Sequence, residues 1–167
     1  MKKLALATLL GLTLSFSAQA QTAKPAEKST STQIQEENKM TTLTGNSKIV
    51  ADYLDAVFNQ KDLAVVEGYW AGKMIQHNPA MPNGLDVLRG FITSPDAKEM
   101  SYERGIIMEQ GDFVMVHGKY NNWAGKTMLA VDIFRLENGK VVEHWDVMQE
   151  EVPADKSVNG NAMFPVK

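Results

Sequence analysis

The 167-residue chain contains no cysteine. That absence excludes disulfides, a thiol nucleophile and a lipid-modified cysteine near the N-terminus. Basic residues are scarce as well: 17 Lys and Arg stand against 20 Asp and Glu, a formal charge of −3. A mildly acidic chain lacks the basic patch that nucleic-acid binding needs, so no nucleic-acid partner is expected. Long apolar runs are missing too. Leu4–Phe16 is too short for a membrane span, and nothing later in the chain approaches the required length. Histidines number three, and His77, His117 and His144 show no HxH or HxxxH spacing. Zinc or another transition metal held by them with Asp132 or Asp146 would need ligands from four separate segments. We expect no metal and no cofactor.

What is present begins with a leader. Lys2-Lys3, the apolar stretch Leu4–Phe16 and the A-x-A sequence Ala18-Gln19-Ala20 form the pattern of a secretory signal peptide over residues 1–20, cut after Ala20. Cleavage removes Lys2 and Lys3 and leaves 15 basic against 20 acidic residues, a formal charge of −5. The expected location is the periplasm or the cell exterior. Residues 21–45 are rich in Ser, Thr, Gln, Lys and Glu, with little to bury, and read as a flexible spacer.

The folded domain is expected over residues 46–151, followed by a tail, 152–167, without clear periodicity. Asn46-Ser47 is a candidate helix cap. Behind it Ile49, Val50, Tyr53, Leu54, Val57 and Phe58 recur at helical spacing. Asp62 caps a shorter helix carrying Leu63, Val66 and Trp70. Met74–Asn78 is a brief extended piece stopped by Pro79 and Pro82, and a third helix follows from about Gly84 to Ile92. Four β-type segments come next: Tyr102–Glu109, Phe113–Tyr120, Met128–Leu136 and Val141–Gln149. Gly111-Asp112, Asn121–Lys126 and Asn138-Gly139 separate them with turn chemistry. Helices followed by consecutive antiparallel strands predict an α+β domain, three helices covering one face of a curved sheet. A cavity between the two layers is the default binding site.

The last two strands carry the chemistry. Asp132 sits between Val131 and Ile133-Phe134, while His144 and Asp146 bracket Trp145. A carboxylate among core residues costs several kcal/mol unless it is paired or neutralised. Register decides whether these groups meet. A two-residue Asn138-Gly139 turn puts Asp132 opposite Trp145; a three-residue Glu137-Asn138-Gly139 loop puts it opposite His144, and Ala130 opposite Asp146. We expect the second. It gathers Asp132, His144, Asp146, Phe134, Met128 and Met148 on one face and leaves Val131, Ile133, Val141, Trp145 and Val147 on the other.

The order of elements, together with Ile75-Gln76-His77-Asn78-Pro79, Gly111-Asp112, His117, Val131–Arg135 and Asn138–Val147, resembles the SnoaL-like family of the nuclear-transport-factor-two-like superfamily. The resemblance covers roughly Asn46 to Gln149. It implies a cone-shaped α+β barrel with an internal pocket. It also implies cofactor-independent acid/base chemistry of the aldol, cyclase or isomerase type on a small carbonyl compound, and a homodimer. On this reading Asp132 is the base, His144 its partner, and His77 and His117 orient the substrate or donate to a developing enolate oxygen. Tyr53, Trp70, Met74, Asn78, Met128, Phe134 and Asp146 form the substrate-binding set, with Phe58 among the apolar walls and Trp123 a rim or dimer contact. Two rival readings stay open: a non-catalytic binding protein for a small hydrophobic ligand, and a dimeric interaction module in which Asp132 and His144 merely fix strand register.

Overall fold

Helix α1 runs Gly45–Asp55 and continues as a π-helical turn, Ala56–Gln60. Its apolar face seats Val50, Tyr53, Leu54, Ala56 and Val57 in the core, as the 3.6-residue spacing demands. The structure is a computed structural model describing residues 42–164. The leader 1–20 and nearly all of the 21–45 spacer lie outside the described residues, as do residues 165–167 of the tail.

The start of α1 differs from the expectation. Thr44 occupies the N-cap position and makes no side-chain cap bond. The exposed N–H of Ser47 instead donates to Glu109 Oε2 at 2.7 Å, and Asn46 Nδ2 donates to Gly111 O at 3.2 Å. The helix is therefore capped from a distant strand end. Lys61 adopts a left-handed φ of 57° and ends the π turn. Asp62 then caps α2, Leu63–Glu67, by accepting from the N–H groups of Ala64 and Val65.

Trp70 does not extend α2; it opens strand β1, Trp70–Gln76. Gly68 ends the preceding helix, and the β-type residues behind it pair in parallel with the last strand. The brief extended piece is thus a true edge strand. Helix α3, Asp86–Ile92, is followed by an unanticipated short helix α4, Pro95–Glu99, with Ser94 as its cap and proline in the first turn. Four long strands complete the fold: β2, Ser101–Gln110; β3, Phe113–Trp123; β4, Lys126–Glu137; and β5, Lys140–Glu150. The sheet order is β1-β5-β4-β3-β2.

The β4–β5 turn corrects the register expectation. Glu137 pairs with Lys140 across a two-residue turn, and Asn138 and Gly139 both take positive φ, 51° and 71°. That is the mirror-image turn that Asn-Gly favours. A bulge follows: Leu136 pairs with Val141, but Arg135 pairs with Glu143, so Val142 is the extra residue. Asp132 consequently lies opposite Asp146, Phe134 opposite His144, and Ala130 opposite Met148. The bulge also turns Val141 into the core beneath the helices, contrary to the expected outer placement. The other face assignments hold, because the bulge restores the two-residue alternation beyond it.

A close approach between neighbouring strands occurs at Gly118. A Cβ there would collide with the Tyr102 ring, so only glycine lets that ring lie across β3. The Tyr102 ring in turn packs 4.9 Å from that of Tyr120. In the tail, a 3-10 turn at Ala154–Lys156 leads to Phe164, which is buried against Gly105 and the His117 ring.

Candidate active site

A cavity of about 280 Å³ lies between the helices and the inner face of the sheet. Apolar walls come from α1 (Tyr53, Leu54, Val57, Phe58), α3 (Val87, Leu88, Phe91) and the sheet (Met74, Phe134, Met148, Trp123). Its polar groups are Gln76, Asn78, Tyr120, Asp132, His144 and Asp146, and none of the described lining residues is Lys or Arg.

Asp132 is 3% exposed and is the only charged residue among the buried polar side chains described. Both of its oxygens are engaged. Tyr120 Oη donates to Oδ2 at 2.8 Å, and His144 Nε2 approaches Oδ1 at 3.2 Å. The other ring nitrogen of His144, Nδ1, lies 2.9 Å from Gln76 Oε1. An amide oxygen only accepts, so Nδ1 carries a hydrogen. The Nε2–Oδ1 contact then needs a proton of its own, held either by the imidazole or by the carboxyl. The Gln76 oxygen beside Nδ1 favours a proton shared by Asp132 and His144. Beside them Asp146 Oδ2 accepts from Asn78 Nδ2 at 2.6 Å.

Burial, and next the charge of Asp132, push the Tyr120 hydroxyl well above the ordinary phenol range. It stays protonated and available to donate. Burial likewise pushes Tyr53 up to about 12. Trp70 Nε1 donates to Tyr53 Oη at 3.4 Å, which leaves the Tyr53 hydrogen free for another acceptor.

The structure brings Asp132, His144, Asp146, Asn78, Tyr53, Met74 and Phe134 together around the cavity. It does not bring the other two histidines there. On β3 the residues Val114, Val116, Gly118 and Tyr120 face inward, so strand alternation turns His117 to the outer face, against Phe164. Alternation along β1 and just beyond it turns Met74, Gln76 and Asn78 inward and His77 outward. There the His77 ring stacks on Trp145, with centroids 4.4 Å apart and planes 4° from parallel. His77 Nε2 also lies 2.8 Å from Glu143 Oε1. Glu143 is held below the usual carboxylate range, first by His77 and then by Arg135. Both histidines are corrected from substrate-orienting groups to outer-face residues.

Two members of the expected substrate set also fall away. Trp70 is core, packed with Tyr53 and beneath the Arg89 guanidinium, 5.6 Å from the ring centre. Met128 packs against the core near the start of β4, outside the cavity lining. Trp123, expected at the rim, is part of the lining. Gln76 and Tyr120 were missed as functional groups. The period-two pattern with Met74 marks Gln76, and the pattern with Val114 and Val116 marks Tyr120.

With this geometry in view, the comparisons with known proteins place the fold. Residues 50–144, more than half of the chain, match the model of the SnoaL-like domain. The chain belongs to the SnoaL-like family. No curated protein matches it in sequence. Its fold is similar to that of a candidate polyketide cyclase from Acidithiobacillus ferrooxidans, with a TM-score of 0.54 and 9% identity, covering 65% of this chain and 91% of the other. A candidate ketosteroid isomerase from Kribbella flavida gives a TM-score of 0.54 and 15% identity, covering 63% and 78%. An NTF2-like protein of unknown function from Cytophaga hutchinsonii gives 0.50 and 17%, covering 66% and 95%. At these identities the likeness is one of fold: a curved, open five-stranded sheet with helices on one face.

Proposed function

We propose that the cavity binds a small, largely apolar carbonyl compound and that Asp132 and His144 move a proton on it. The observation that carries this reading is the 3.2 Å contact of a nearly fully buried Asp132–His144 pair opening onto an apolar cavity. Asp132 takes a proton from the carbon beside the carbonyl, and the positive charge then left on the His144 imidazole balances that of the developing enolate. Tyr53, whose own oxygen accepts from Trp70, supplies its hydrogen to the developing enolate oxygen. Tyr53 thus takes the donor role expected of His77 or His117.

The test is solvent deuterium exchange, followed by NMR, at the α-carbon of aryl and alkyl ketones bound by the protein. Asp132→Asn is expected to lower the exchange rate by two orders of magnitude or more while the fold persists. Equal exchange by the variant removes Asp132 from the mechanism. Ligand binding without any exchange favours the non-catalytic binding protein, for which the apolar walls are equally suited.

Two further parts of the reading concern the whole chain. The pattern of Lys2-Lys3, Leu4–Phe16 and Ala18–Ala20 supports export and cleavage after Ala20. An outer-face strip of exposed Met115, Val131 and Val147 beside the His77–Trp145 stack supports a homodimer formed through the sheet.

A further inference from the structure

We propose that Asp132, His144 and Asp146 also form a binding site for one first-row divalent metal ion at the cavity floor. One ligand atom from each of the three side chains lies within 4.8 Å of the others. Asp132 Oδ1 and His144 Nε2 are 3.2 Å apart. Two ligands of a single ion with bonds of roughly 2.0–2.2 Å sit about 3 Å apart, so this pair already has the spacing of neighbouring ligands.

The surroundings add three independent arguments. The first is charge. Asp132 and Asp146 are direct cross-strand partners facing the same cavity, where like charges oppose each other, and no Lys or Arg among the described residues lines it. A divalent ion balances two such carboxylates.

The second is orientation. Each side chain has one heteroatom fixed by a neutral partner: Asp132 Oδ2 by Tyr120, His144 Nδ1 by Gln76, and Asp146 Oδ2 by Asn78. The remaining heteroatoms of Asp132 and His144, Oδ1 and Nε2, face each other, and an ion bound by both replaces that contact. Hydrogen bonds of this type, above all from the distal nitrogen of a histidine, hold ligands in place around bound metals.

The third is access. The three groups line the cavity, so an ion held by them keeps open positions toward a bound molecule. One nitrogen and two oxygens suit zinc, iron(II) or manganese(II). Such an ion would occupy the place of the shared proton. The site stands on geometry and charge alone and does not depend on the acid–base reading.

The test is calorimetric titration of the chelator-stripped protein with zinc chloride, with thermal melts of every variant. The expected result is saturable binding of one zinc ion per chain. Asp146→Asn is expected to weaken it at least tenfold, and Gln76→Leu by roughly 10–100-fold. His77→Ala removes the outer-face imidazole and is expected to leave the affinity unchanged. Absence of saturable binding overturns the proposal, as does binding that survives both Asp146→Asn and Gln76→Leu or is lost in His77→Ala. Deuterium exchange by the stripped protein, abolished in Asp132→Asn, speaks only to the acid–base reading, so the two can fail separately.

Discussion

Tyr120 on β3 donates its hydroxyl to Asp132 on the neighbouring β4 at 2.8 Å, while Tyr102, whose ring packs against Tyr120, has a buried hydroxyl with no partner among the described residues. Two phenols of similar burial therefore differ in a single respect. Tyr120→Phe leaves a buried carboxylate oxygen without its donor and is expected to cost about 1–3 kcal/mol. Tyr102→Phe deletes an orphaned polar group, and its melting temperature is expected to equal or exceed that of the parent. Thermal melts of the two variants side by side check the contrast. A Tyr102→Phe loss as large as that of Tyr120→Phe contradicts it.

The start of α1 carries a pH dependence. The Ser47 N–H beside Glu109 holds that carboxyl below its ordinary value. A carboxyl depressed in the folded state stabilises above its unfolded pKa and stops doing so as the pH falls through the folded pKa. Glu109→Ala is therefore expected to be less stable at pH 7, by at most about 1 kcal/mol because the group is exposed. The gap should shrink below about pH 4.3 and close at lower pH. Chemical denaturation at a series of pH values reads this directly, and a gap that widens in acid contradicts it.

The homodimer proposed for the outer face turns on Val147, which is 75% exposed. A charge there is incompatible with a dry interface between two sheets. Val147→Glu is expected to sediment as a monomer under conditions where the parent sediments as a dimer, with the melting of the fold itself little changed. An unaltered dimer moves the interface elsewhere.

Much of the site was legible because strands repeat every two residues. Alternation alone put Asp132 with Phe134 on β4 and His144 with Asp146 on β5, the bulge at Val142 brings the two pairs to one face, and the cavity they share followed from helices packed on one side of a sheet. The exact pairing was not legible. Asn138-Gly139 argued for the short turn that forms, but nothing in Val141-Val142 announces a bulge, since two adjacent valines suit a regular strand equally well. His77 and His117 were misplaced for a different reason. Their residue type suggested chemistry, while the phase set by Met74 and by Val114 and Val116 pointed them outward. The same phase marks Gln76 and Tyr120, whose neutral polar side chains gave no comparable chemical signal. The capping of α1 by Glu109 was beyond a local reading, because the two segments lie 62 residues apart.

The account rests on the proton shared by Asp132 and His144, and imidazole 15N NMR of the chelator-treated protein tests it most directly. The predicted spectrum has His144 Nδ1 protonated, as Gln76 requires, and an Nε2 shift that moves when Asp132 is replaced by Asn. His117, on the other face of the sheet, serves as the internal reference and should not move. A His144 ring whose shifts are unaffected by Asp132→Asn would contradict the shared proton and the chemistry proposed from it.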